Sequence, residues 1–130
     1  MASFRTPLSR ARGLGSAKHG VGHFIVERVT SVALVPLMLW AVYAGLTLAR
    51  DDYAQAAAWL GSPINAVLTV LLIAIGFWHM QVGLRVVIED YLEKTLGRQL
   101  ALILNLFVCV LACGLAVFSV LKLAFTHGVV

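Results

Sequence analysis

Three stretches of the chain contain no Asp, Glu, Lys or Arg: Val29–Ala49, Tyr53–Leu84 and Gln99–Leu121. About 20 apolar residues in a helix suffice to cross the hydrocarbon core of a bilayer, so each stretch is long enough to span. The second is longer than one span needs, and Ser62-Pro63 interrupts it. Proline in a first helical turn, directly after a serine, is a helix start signal. The pattern predicts helices over residues 24–49, 63–91 and 96–125. Residues Arg50–Gly61 then form an amphipathic connection, with room for a short helix lying in the interface. The runs are too long for barrel strands and lack their period-two alternation. The expected fold is an all-α membrane protein with three transmembrane helices, comprising a polar segment 1–23 and a single membrane domain 24–130.

Composition excludes the alternatives. Of the 130 residues, 61% are hydrophobic and 12% charged, and mean hydropathy is +0.93; a soluble domain is about 45–50% apolar and about 25% charged. A chain this small cannot hide so much apolar surface in its own core, and a disordered chain needs low hydrophobicity. Two cysteines cannot staple a scaffold of this size.

The charges orient the spans. Met1–Gly22 carries Arg5, Arg10, Arg12 and Lys18 and no acid, and no cleavable signal peptide is visible in it. Lys94 and Arg98 lie between helices two and three, whereas the other side has Arg50 beside Asp51 and Asp52, then Lys122. By the positive-inside rule, the N-terminus and the second loop are expected in the cytoplasm and the C-terminus on the far side. The net charge of +4 follows from this bias. Nucleic-acid binding is a poor account of it, since no soluble module is there to carry it.

One ionisable residue sits well inside a span: His79. A charged side chain at mid-span costs about 2.5–3.5 kcal/mol on insertion scales, so such residues face protein, cofactor or water. His79 lies about 18 Å up the helix from Tyr91 at 1.5 Å per residue. Gly76, His79, Gly83 and Asp90 are spaced 3, 4 and 7 apart, which is one helix face. A macrocycle could lie against the bare backbone of the two glycines; the plainer account is close helix packing. Neutral imidazole is a common axial ligand of haem iron, and His19, His23 and His127 all lie outside the spans, so a second histidine ligand would come from another chain. The plainer account of His79 is a hydrogen bond to a neighbouring helix. At the end of helix two, Asp90 and Tyr91 read either as an interfacial anchor or as a phenol–carboxylate pair able to hydrogen-bond a quinone carbonyl. Arg28 reads as a snorkelling side chain or as a partner for a propionate or lipid phosphate. Thr30 and Ser31 can hydrogen-bond across helices. Cys109 and Cys113 are small packing residues, and Trp59 suits an interfacial belt.

These residues resemble a known family. His19-Gly-Val-Gly-His-Phe-Ile-Val-Glu-Arg28-Val-Thr30 is similar to the entry of the first helix in D-type membrane-anchor subunits of succinate dehydrogenase. His79-Met-Gln-Val-Gly83-Leu-Arg-Val-Val-Ile-Glu-Asp90-Tyr91 resembles that family's second-helix signature. The resemblance covers nearly the whole chain. It implies a four-part respiratory complex: a flavoprotein with FAD, an iron–sulfur subunit, and two membrane anchors that hold haem b between them and reduce ubiquinone. The second anchor, of cytochrome b556 type, forms a helical bundle with this one and supplies the other haem ligand. By position, His79 corresponds to an axial haem ligand, Arg28 to an arginine near the propionates, and Tyr91 with Asp90 to the quinone-site pair; Gly76 and Gly83, on the His79 face, are the cofactor-facing positions by their spacing. The family pattern has an acidic or polar residue where His23 stands. The implied location is the bacterial cytoplasmic (inner) membrane, or the mitochondrial inner membrane in a eukaryote. The family also implies that succinate oxidation itself takes place in the partner subunits. The alternatives are a haem-free structural anchor, a cytochrome b subunit of fumarate reductase or another quinone-linked enzyme, and a small transporter, which needs ionisable groups at several depths.

Overall fold

The computed structural model describes residues 6–11, 13 and 20–127. Five helices are present among them: α1 (Pro7–Ala11), α2 (Gly20–Leu48), α3 (Tyr53–Gly61), α4 (Pro63–Tyr91) and α5 (Thr95–His127). Three of them, α2, α4 and α5, contain spans long and apolar enough to cross a membrane: Phe24–Leu48, Pro63–Tyr91 and Thr95–Thr126. The chain is an all-α, multi-pass membrane protein.

Local chemistry explains the boundaries. α4 runs over the expected 63–91: Pro63 opens it behind Ser62, and Leu92 closes it with its N–H on the Ile88 carbonyl. α5 is longer than expected by one residue at its start and two at its end. α2 begins four residues earlier than expected, inside the segment read as polar. Gly20 and Gly22 weaken a helix by only about 1 kcal/mol each, and Val21, Phe24 and Ile25 supply apolar surface to extend it. The connection after α2 is helical over most of its length. Asp52 caps α3 by accepting a 2.8 Å hydrogen bond from the Gln55 N–H. At the other end of α3 the Trp59 carbonyl accepts from the Ser62 hydroxyl at 2.8 Å and from Asn65 Nδ2 at 3.0 Å. Trp59 also stacks on Trp40 of α2, with ring centroids 6.2 Å apart, so it anchors α3 to α2 inside the fold as well as suiting an interface.

α4 stands between α2 and α5 and packs on both, whereas α2 and α5 share no comparable contact. α3 packs under α5 and α4 at the end where the C-terminal part of α5 lies. The three long helices therefore form a row instead of a closed bundle. The buried hydrophobic side chains are few and mostly small: Leu37, Ala44, Ala57, Ala66, Val82, Cys109 and Val120. Phe107, Leu115 and Phe118 are exposed by 61–69%. Such a surface is stable against lipid or other apolar helices, not against water. Among the described residues, Asn105 is the buried polar side chain. It ties α5 to α4 by donating from Nδ2 to the Gln81 carbonyl at 3.0 Å, while its Oδ1 accepts from Cys109 Sγ at 3.4 Å.

Candidate functional site

α2 and α4 run antiparallel, and their contact brings Thr30 to the level of His79. Thr30 Oγ1 lies 3.0 Å from His79 Nδ1. The same hydroxyl oxygen lies 2.8 Å from the Val26 carbonyl oxygen and 3.0 Å from that of Glu27. Ser31, which had the same prospect from sequence, turns back on its own helix and donates to the Glu27 carbonyl at 2.7 Å. His79 is half-buried. Its Nε2 makes no hydrogen bond among the described residues, so the ring is held by one nitrogen and presents the other.

The glycines beside His79 are bare on their outer side. A Cβ built on Gly76 or on Gly83 would meet nothing within 4 Å. Close packing of helices within this chain is therefore not what keeps these positions small. Gly76 also lines an apolar groove of about 310 Å³ between α2 and α4, with Leu34, Met38, Leu72, Ile73 and Met80. That volume is at the lower end for a ligand pocket, roughly 300–1,000 Å³, and the groove is open on one side. A larger apolar cavity of about 410 Å³ lies at the opposite end, between Gly61, Pro63, Val70 and Phe125. No polar side chain lines it, so it offers nothing to fix a ligand's orientation.

The signature carboxylate and phenol sit at the end of α4. Asp90 and Tyr91 are exposed, Tyr91 by 81%, and neither side chain bonds within the chain among the described residues. One turn earlier, Arg85 Nε and Glu89 Oε1 form an ion pair at 2.8 Å on the exposed surface. Helical geometry puts Asp90 about 20° around the axis from His79 and Tyr91 about 120° from it. The phenol and the imidazole are thus separated by about 18 Å along one helix and do not touch the same small ligand.

Arg28 is exposed, and its guanidinium carbon stands 5.1 Å from the centroid of the Phe24 ring. It lies about 200° around α2 from Thr30, on the side away from His79. Neither Glu27 nor Arg28 has an ion-pair partner among the described residues. His19 and the side chains of His23 and His127 lie outside the described residues. Among the described residues, no three of His, Cys, Asp and Glu gather as metal ligands. Cys109 is buried in the α4–α5 contact and Cys113 is half-buried, in keeping with packing roles.

The residues present fit an apolar macrocycle with a metal at its centre: one imidazole nitrogen without a partner, a backbone left bare on either side of it, and an open apolar groove. They supply a single ligand and a single wall.

Residues 2–123 match the family model described as succinate dehydrogenase/fumarate reductase transmembrane subunit. A Rickettsia conorii protein named succinate dehydrogenase hydrophobic membrane anchor subunit is 34% identical over 119 residues, covering 88% of this chain and 94% of the relative. A Rickettsia prowazekii protein of the same name is 31% identical over 126 residues, covering 96% and 97%. A Paracoccus denitrificans protein of that name is 35% identical over 91 residues, covering 68% of each chain. No solved structure matches the chain.

Proposed function

We propose, because the chain belongs to the succinate dehydrogenase/fumarate reductase transmembrane subunit family, that it is the hydrophobic membrane anchor of a succinate dehydrogenase, that it holds one side of a haem b, and that it forms part of the ubiquinone-reduction site. Its partners on this reading are a second, cytochrome b-type anchor, an iron–sulfur subunit and a flavoprotein carrying FAD, in a bacterial cytoplasmic membrane with the N-terminus inside. Succinate is oxidised in the partner subunits. The observation that carries the reading is the His79 ring: tethered through Nδ1 at 3.0 Å, half-buried in a span, and flanked by two glycines with open space over them.

Haem b, when bound, supplies a one-electron store at the level of the site. His79 is the residue that would hold the group, through its free Nε2, on the α2–α4 side. Gly76 and Gly83 leave the backbone approachable, and the Leu34–Met38 wall keeps water out. Arg28 is the cation the resemblance assigns to a propionate; to reach one from the far side of α2, the guanidinium would leave the Phe24 ring and swing around the helix. Asp90 and Tyr91 end the same helix at the side expected to face the iron–sulfur partner. A quinone carbonyl gains negative charge as it is reduced, and the Tyr91 hydroxyl can donate a hydrogen bond to it there. The Asp90 carboxylate, about 100° away on the helix, can accept and release the protons that reduction consumes.

The test is a reduced-minus-oxidised spectrum of the purified complex, with and without His79→Ala. The expected result is a haem b band in the wild type that is lost or displaced in the variant, because a methyl group has no lone pair for iron. A complex without haem would leave only a structural anchor, and an unaltered band in His79→Ala would exclude this ligand. The family description also covers fumarate reductases, so succinate oxidation and fumarate reduction by the same complex should be compared.

A further inference from the structure

The Thr30 hydroxyl has three neighbours and one proton. The Val26 carbonyl at 2.8 Å and the Glu27 carbonyl at 3.0 Å can only accept, whereas His79 Nδ1 at 3.0 Å can donate or accept. Two arrangements are possible. If the hydroxyl donates to Nδ1, its lone pairs stand against two carbonyl oxygens with no proton between them. If Nδ1–H donates to Oγ1, the hydroxyl proton is free for the Val26 carbonyl, with Glu27 sharing it. Every close contact then contains a proton. Back-donation to the carbonyl four residues earlier is also the ordinary habit of threonine inside a helix.

Only the second arrangement leaves Nε2 with its lone pair free. In the first, the ring proton sits on Nε2 and faces outward, where it blocks a metal. We infer that Thr30 is a positioning residue: its hydroxyl, pinned to the α2 backbone, fixes the Nδ1–H form of His79 and so keeps Nε2 ready to ligate. This rests on the haem reading proposed above and adds to it the residue that prepares the ligand. The same hydrogen bond fixes the ring plane and strengthens electron donation from Nε2, which favours the more highly charged ferric iron. α2 thus contributes to the site without touching the iron.

The test uses the intact complex with Thr30→Val, which keeps the shape of the side chain and removes the oxygen, and Thr30→Ser, which keeps the oxygen. Ser31→Ala, one residue on and bonded only within α2, is the control. Haem retention and the haem midpoint potential are read by dissociation kinetics and potentiometric titration. Losing an outer-shell partner typically weakens a metal site about 10–100-fold. Thr30→Val is expected to loosen haem to that degree and to raise the potential, by about 59 mV for each tenfold loss that falls on the ferric form alone. Thr30→Ser and Ser31→Ala are expected to stay near wild type. If Thr30→Val matches wild type in both readouts while His79→Ala loses haem, the inference is overturned and the ligand assignment stands. If Thr30→Ser behaves like Thr30→Val, the hydroxyl is not the agent and the inference is also overturned. A wild-type complex without haem removes both readings.

Discussion

Alanine at Gly83 should have opposite effects on the chain and on its ligand. Within the chain a Cβ at Gly83, at Gly76 or at Gly45 meets nothing within 4 Å, so no contact has to give. Replacing a mid-helix glycine by alanine favours the helix by about 0.8–1.0 kcal/mol, and Gly83→Ala is therefore expected to be neutral or mildly stabilising for the isolated subunit. A macrocycle lying against that face would be displaced by the added methyl. Overpacking of a close contact costs about 1–3 kcal/mol, which is roughly 5–150-fold in affinity at about 1.4 kcal/mol per tenfold. Gly76→Ala should act in the same direction, and more weakly, because the adjoining groove can take part of the methyl. Gly45→Ala, at the far end of α2, is the control and should leave the site alone. The assay is haem per complex together with its dissociation rate, against the amount of each subunit in the membrane as a measure of assembly. Wild-type haem content and dissociation in a Gly76→Ala/Gly83→Ala double variant would refute the view that these glycines are bare to admit the cofactor.

Other outcomes follow from the same structure. Tyr91→Phe leaves packing intact, since the side chain is 81% exposed; haem content and succinate oxidation with an artificial acceptor should be normal. Ubiquinone reduction should slow, by less than the 10²–10³-fold, roughly, that a fully preorganised donor is worth, and an unchanged rate would make the phenol a membrane anchor only. Asn105→Leu removes the link to the Gln81 carbonyl and should destabilise the α4–α5 pair by about 0.6 kcal/mol and at most about 1.7, measured as unfolding in detergent. Reporters fused after Val130 and within Leu92–Gly97 should read periplasmic and cytoplasmic respectively; cytoplasmic activity at both would defeat the orientation.

Sequence reasoning reaches α4 in full because its limits are written locally, in Ser62-Pro63 and in the polar run after Tyr91. α2 is harder to bound: Gly20 and Gly22 are weak breakers, and the helix extends into the polar segment. α3 shows in the sequence as an amphipathic connection with room for a short helix, and its cap is legible too, as Asp52 stands directly before the helix. The charge of Asp52 draws attention to topology and away from capping. His79 is conspicuous by depth alone. Its partner is not, because Thr30 and Ser31 are adjacent and equally able to cross. Which of them does is set by the rotation of α2 about its axis, a property of the packed pair and not of either helix. The Trp40–Trp59 stack is hidden for the same reason, since it depends on how α3 folds back beside α2.

Pro36 lies inside α2, between two points where that helix is fastened. Below it, Thr30 is bonded to His79 on α4; above it, Trp40 is stacked on Trp59 of α3. Proline has no N–H, so the rung to the Val32 carbonyl is missing and the helix resists bending least at that point. The two fastenings are about 15 Å apart along the axis, and a rigid rod could not adjust to one without moving the other. A compliant joint between them lets the lower half of α2 follow a small shift of the imidazole while the upper part keeps its stack. A displacement at His79 is then absorbed within about two turns, and the geometry of the opposite membrane face is insulated from it.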